Sequence, residues 1–146
     1  MSRLYLTLLC AALCAATLEP LARASEGPVG IAYVEAPEQS SGVCVAGNPD
    51  KAFSCAKARC AEGGTLARDC LRIAWCFPAG WSTDEFLQNQ DGFHWHEFSC
   101  GWDSKEMALR AAQLRCDRGL SPQLLECMTV AVYDPDGKTE TPEPAP

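Results

Sequence analysis

The chain has 146 residues, a length that suits one domain, with 12 basic against 19 acidic side chains and a formal net charge of −7 at pH 7. No cluster of Lys or Arg offsets that balance, which repels nucleic-acid phosphates and anionic membrane surfaces and excludes both as expected partners. Ten cysteines in so short a chain point to a disulfide-stapled, exported protein.

The first residues read as a secretory leader. Arg3 supplies the positive charge, residues 4–18 form an apolar run, and Ala22-Arg23-Ala24 places small residues where a signal peptidase reads. Cleavage is therefore expected after Ala24, giving a signal peptide over 1–24 and a product in the periplasm or outside the cell. A spanning helix needs about 20 apolar residues, and Glu19-Pro20 stops this run short of that, so no membrane span is expected. Losing Arg3, Arg23 and Glu19 with the leader leaves 10 basic and 18 acidic side chains, a net charge of −8.

Residues 29–34 and 43–46 read as strands. Asn48-Pro49-Asp50 then starts a helix, with Asn48 as the cap and Pro49 at the first helical position. Ala52, Phe53, Ala56 and Cys60 follow at helical spacing, and Gly63-Gly64 ends it. Leu71, Ile73, Trp75 and Phe77 alternate as on one face of a strand. Residues 78–97 form an aromatic insert. In it Ser82-Thr83-Asp84-Glu85 fits a capping box for a short helix reaching Asn89, and Asp91-Gly92 fits the turn after it. Residues 93–100 read as a strand. A second helix is capped by Asp103 or Ser104, with Met107, Ala108, Ala111, Ala112 and Leu114 as its apolar stripe. Met128, Val130 and Val132 mark a final strand. The segment 134–146, rich in Pro, Glu, Thr and Asp, reads as a disordered tail behind a single domain over 25–133.

A shift of 56 residues partly superimposes the chain on itself. Cys44 falls on Cys100, Ala56 on Ala112, and Arg59-Cys60 on Arg115-Cys116; one inserted residue then brings Cys70 onto Cys127. The expected fold is thus α+β, an internally duplicated domain with two helices packed on a mostly antiparallel sheet. Eight cysteines remain after the leader, none in a Cys-x-x-Cys zinc knuckle. Cys60–Cys70 and Cys116–Cys127 each tie a helix end to the next strand, and closing so short a loop contributes about 2–3 kcal/mol on the chain-entropy model. Each copy holds an odd number of cysteines, so full pairing requires a bridge between copies. Cys44–Cys100 is the economical choice and leaves Cys55–Cys76.

The unit of small-residue helix, Arg-Cys and Cys-bearing strand resembles the exported bacterial proteins grouped as domain of unknown function 4189. Residues 56–60 with Cys70, and 112–116 with Cys127, carry the likeness, which spans about residues 29–133. The aromatic insert and the extra cysteines depart from that pattern. The resemblance implies an exported α+β domain and brings no activity with it.

Two groups of residues are candidates for function. Trp81, Phe86, Phe93 and Trp95 make the insert a candidate contact surface, since aromatics on positioned loops are favoured anchors. They would equally cover the open side of a small core. His94 and His96, two apart on a strand, share a face and could bind zinc or copper with Asp91. No phosphate loop, Gly-x-Ser-x-Gly or His-Glu-x-x-His motif occurs. The expectation is a non-enzymatic exported binding protein without cofactor, an inhibitor or immunity-like partner of another exported protein. A metal-binding protein or metalloenzyme on His94 and His96 comes second, and a structural envelope component third.

Overall fold

The computed structural model describes residues 27–142; the expected leader and its expected cleavage site lie outside them. Two β-strands, β1 (Gly30–Ala36) and β2 (Ser40–Ala46), precede helix α1 (Pro49–Glu62) and strand β3 (Leu71–Cys76). Strands β4 (Trp81–Asn89) and β5 (His94–Trp102) precede helix α2 (Lys105–Arg115) and strand β6 (Leu124–Tyr133), and the short β7 (Thr139–Glu140) follows. The class is α+β as expected, but the strands form two antiparallel sheets in place of one, ordered β2-β1-β3 and β5-β4-β6-β7. In each, the strand that comes first in the chain lies between two others.

The second sheet exists because residues 81–89 are a strand and not the short helix that Ser82-Thr83-Asp84-Glu85 predicts. The local capping pattern is outweighed by two neighbours, since β4 pairs with β5 on one side and β6 on the other. Ser82, Thr83, Asp84 and Glu85 are all buried, so the charged pair is an interior feature and not a solvated helix start. The Asp91-Gly92 turn is where the sequence puts it. Asn89 Oδ1 accepts from the backbone N–H groups of Asp91 and Phe93, both at 3.0 Å.

β1 is buried along its whole length because both of its faces are covered. Ala32, Val34 and Ala36 meet α1 through Ala52, Phe53, Ala56 and Cys60. Ile31 and Tyr33 point the other way, into a second cluster with Val43, Ala79, Phe98 and Tyr133. The Tyr33 and Phe98 rings stack at 4.5 Å across the gap between sheets. On the far side of the second sheet Arg115 of α2 reaches Glu85 and Glu97. The layers are therefore helix, sheet, sheet, helix.

α1 begins as expected, with Asn48 Oδ1 accepting from Lys51 N at 3.0 Å and Pro49 in the first turn. Gly42 lets the helix lie close on β2. A Cβ there would stand 2.1 Å from the Ala56 carbonyl oxygen and 2.7 Å from Cys60 N. α2 is capped by Ser104, whose Oγ accepts from Met107 N at 3.2 Å. Of its expected stripe only Ala108 and Ala112 are buried, while Met107 and Leu114 are exposed. Among the described residues no helix is long and apolar enough to cross a membrane.

Four disulfides form, Cys44–Cys55, Cys60–Cys70, Cys76–Cys100 and Cys116–Cys127. The two helix-to-strand bridges are those expected. The other two expected pairs, Cys44–Cys100 and Cys55–Cys76, do not form, because the faces differ. Cys44 sits in the layer beneath α1 and meets Cys55 of that helix, whereas Cys76 and Cys100 both border the cluster between the sheets. Cys76–Cys100 is the bridge that joins the two halves.

Part of the segment expected to be disordered is ordered. Asp134 Oδ1 accepts from Asp136 N and Lys138 N, turning the chain so that β7 pairs with Val132 and Tyr133. Lys105 Nζ of α2 reaches Glu140 Oε2 at 2.6 Å.

Candidate functional site

The chemistry-bearing side chains gather where the β1–β2 and β4–β5 hairpins end side by side. Between them is a cleft of about 230 Å³, bordered by Glu35, Glu38, Ser41, Phe86, His94 and His96. His94 and His96 share a face, as their spacing requires, and both border it. Phe86 lies directly across from His96 in the β4–β5 pair and packs against both imidazoles, at 5.6 and 5.9 Å between centroids.

His96 is held from two sides. Its Nδ1 lies 2.6 Å from Oδ1 of the buried Asp84, and its backbone N–H donates to Glu35 Oε1 at 3.1 Å. The hydrogen bond to Asp84 raises the imidazole above its ordinary pKa, against a smaller opposing effect of burial. Nε2 remains as the uncommitted ring nitrogen. Glu35 is only 5% exposed, and burial pushes its carboxyl above the usual range; the N–H of His96 only partly offsets this. Tyr33 and Tyr133, further into the gap between the sheets, are also raised by burial, Tyr133 to about 12.

A second buried acid lies on the opposite face of β4. Glu85 is fully buried, and neither carboxylate oxygen has a hydrogen-bond partner. Burial raises its pKa, with Thr83 and the Arg115 guanidinium pulling the other way; Arg115 Nε stands at 3.8 Å. Arg115 pairs more closely with Glu97, which also accepts from Trp95 Nε1 at 3.2 Å.

The four aromatics of the insert do not converge. Phe86 borders the cleft and Phe93 projects from the hairpin turn, 64% exposed. Trp95 reaches Glu97 on the α2 side, and Trp81 pairs with Trp102 at the far end of the hairpin. Asp91 stands in the exposed turn. Among the described residues no group of three or more His, Cys, Asp or Glu side chains is placed to hold a metal ion. All eight cysteines among the described residues are in disulfides.

Sequence reasoning missed Glu35, Asp84 and Glu85. Glu35 did leave a signal, as the one acidic residue in the apolar run Gly30–Ala36. Asp84 left none, because Ser82-Thr83-Asp84-Glu85 reads equally well as a helix cap. Chemically the cleft offers a buried carboxylate, a histidine oriented by a second carboxylate, and an aromatic ring. No hydroxyl or thiol is hydrogen-bonded to the His96 ring among the described residues.

No family model matches this chain, and no curated protein and no solved structure matches it either. The class is therefore drawn from the molecule alone: a disulfide-stapled α+β domain of an oxidising, extracytoplasmic compartment.

Proposed function

We propose that this is an exported, non-enzymatic binding protein that engages another exported protein, in the manner of an inhibitor or immunity partner, through the end of the molecule where its two hairpins meet. The observation that carries this reading is the cleft itself. It sits on a scaffold tied by Cys76–Cys100 and is lined by Phe86, His94 and His96, while Phe93 stands exposed in the turn of the same hairpin. Aromatic anchors on rigid hairpins are what a binding surface uses, because little side-chain entropy is lost on contact.

The shared plan of the two halves supports a duplicated unit as the scaffold. β1-β2-α1-β3 and β4-β5-α2-β6 run in the same order; β6 breaks register twice, at Leu125 and Val130, and β3 once, so that Ile73 answers Val130. Those two residues lie 57 apart, the offset that the sequence repeat reaches after its one-residue insertion. Export in a leader-dependent manner, and kinship with the exported domains it resembles, fit the same reading. The test is affinity capture from envelope extract with wild-type protein and with Phe86→Ser and Phe93→Ser variants of unchanged melting temperature. A stoichiometric partner held by the wild type and lost by the variants is expected. A partner held equally by all three would sink the assignment to this surface.

A further inference from the structure

We propose that the cleft between the hairpin ends receives a basic side chain, Lys or Arg, from an extended segment of the protein partner. The inference rests on the binding reading above and adds the chemistry of what is bound. Glu35 is the reason for it. Glu35 is only 5% exposed as a residue, and a carboxylate so placed is favoured by a charged partner. One of its oxygens accepts from the His96 backbone, and the other, without a hydrogen bond among the described residues, is open to the cleft that Glu35 borders. A cation entering the cleft completes that pairing.

The surroundings select the sign of the occupant. Glu38 borders the cleft from the β1–β2 turn, and Asp84 stands behind His96. The groups facing Glu35 from the packed elements are thus Glu38, Asp84, His94 and His96. With one imidazole protonated they remain net negative when Glu35 is counted. An anion would meet Glu35 and Glu38, and a neutral apolar group would leave Glu35 unpaired. The Phe86 ring adds a face on which an ammonium or guanidinium can rest. The acidic balance of the whole chain draws basic partners towards it.

Size and position favour a protein side chain over a free small molecule. Small-molecule pockets hold about 300–1,000 Å³, and this cleft holds about 230 Å³. Phe93, exposed on the same hairpin, supplies apolar contact that a residue flanking the cation can use.

The test uses isotope-labelled protein, residues 25–146, and the tripeptides acetyl-Ala-Arg-Ala-amide and acetyl-Ala-Lys-Ala-amide, with the citrulline peptide as neutral isostere. Saturable shifts of the His94, His96 and Phe86 side-chain resonances are expected with at least one cationic peptide. Binding should be at least about tenfold weaker for citrulline and in Glu35→Gln, where Gln still offers an oxygen to the His96 N–H. Glu38→Gln, further from the His96 backbone, should weaken binding about two- to threefold and serves if Glu35→Gln does not fold. Acidification from pH 7.5 to 5 should weaken binding as Glu35, raised by burial, gains a proton. Equal shifts from the citrulline peptide, no shifts at the cleft, or binding unchanged by both carboxylate variants would overturn the proposal. So would Zn²⁺ alone moving both histidines at micromolar concentration while the peptides do not. A partner complex lost in Phe86→Ser but indifferent to Glu35→Gln refutes the cation and leaves the binding reading standing. Loss of that reading shows instead as indifference to Phe86→Ser and Phe93→Ser.

Discussion

Three ionisable side chains, Glu35, Glu85 and His96, hold protons more tightly folded than unfolded. Glu35 and Glu85 are raised by burial, and His96 by its bond to Asp84. The carboxyls are unpenalised below their unfolded value of about 4.5 and increasingly costly as pH rises through the folded value. The His96 contribution is complete below about 6.5 and is lost as pH rises through its raised folded value. All three signs agree, so stability is expected to fall between about pH 5 and pH 8. Thermal unfolding across that range checks it. Glu85→Gln removes a buried charge that has no hydrogen bond and only a long ion pair to Arg115, which keeps Glu97, so it should raise the melting temperature at pH 8 and flatten the profile. Asp84→Asn tests the neighbouring pair. The His96 titration, followed by NMR, should move down towards about 6.5, and an unmoved midpoint would rule out Asp84 as its cause.

Small residues, more than large apolar ones, decide how the elements pack. α1 buries one aromatic, Phe53, worth about 2 kcal/mol by its area. The rest of its contact is Ala52, Ala56 and Cys60 against Ala32, Val34 and Ala36. Such a helix gains stability only by lying close to the sheet, and Gly42 permits that. Gly42→Ala should cost about 2 kcal/mol or more, because the Cβ meets backbone atoms that cannot rotate away. Urea unfolding measures it, and a cost below about 0.5 kcal/mol would mean that the helix can lift off freely. Gly80 plays a like part at the sheet-to-sheet connection, with φ of 56° and a site where a Cβ would stand 2.7 Å from the Gly101 backbone. The helices were legible because caps and helical spacing are local signals. β4 was not, because its strand state depends on β5 and β6 lying on both sides of it.

The molecule as a whole is two similar layers of helix and sheet joined face to face, and its cleft exists only where those layers meet. Cys76–Cys100 is the one disulfide across that junction. Replacing both cysteines by Ser should lower the melting temperature and speed amide exchange at His96, whose N–H bonds to Glu35 of the other sheet. Replacing Cys116 and Cys127 should lower stability without that local effect. Exchange at His96 unchanged in the first variant would show that ring stacking alone holds the sheets together. The amino-acid sequence was enough for the α+β class, both helices, the Asp91-Gly92 turn, the two short-loop disulfides and the shared face of His94 and His96. Each of these follows from interactions within about a dozen residues. Tertiary contacts settled the rest: two sheets, a buried Asp84 and Glu85, the pairing of Cys44 with Cys55 and Cys76 with Cys100, and the meeting of Glu35 with His96. The physical reason is common to them all. Which face of a strand is covered, and by what, depends on segments far apart in the chain, 61 positions for Glu35 and His96, and spacing along the chain does not encode that distance.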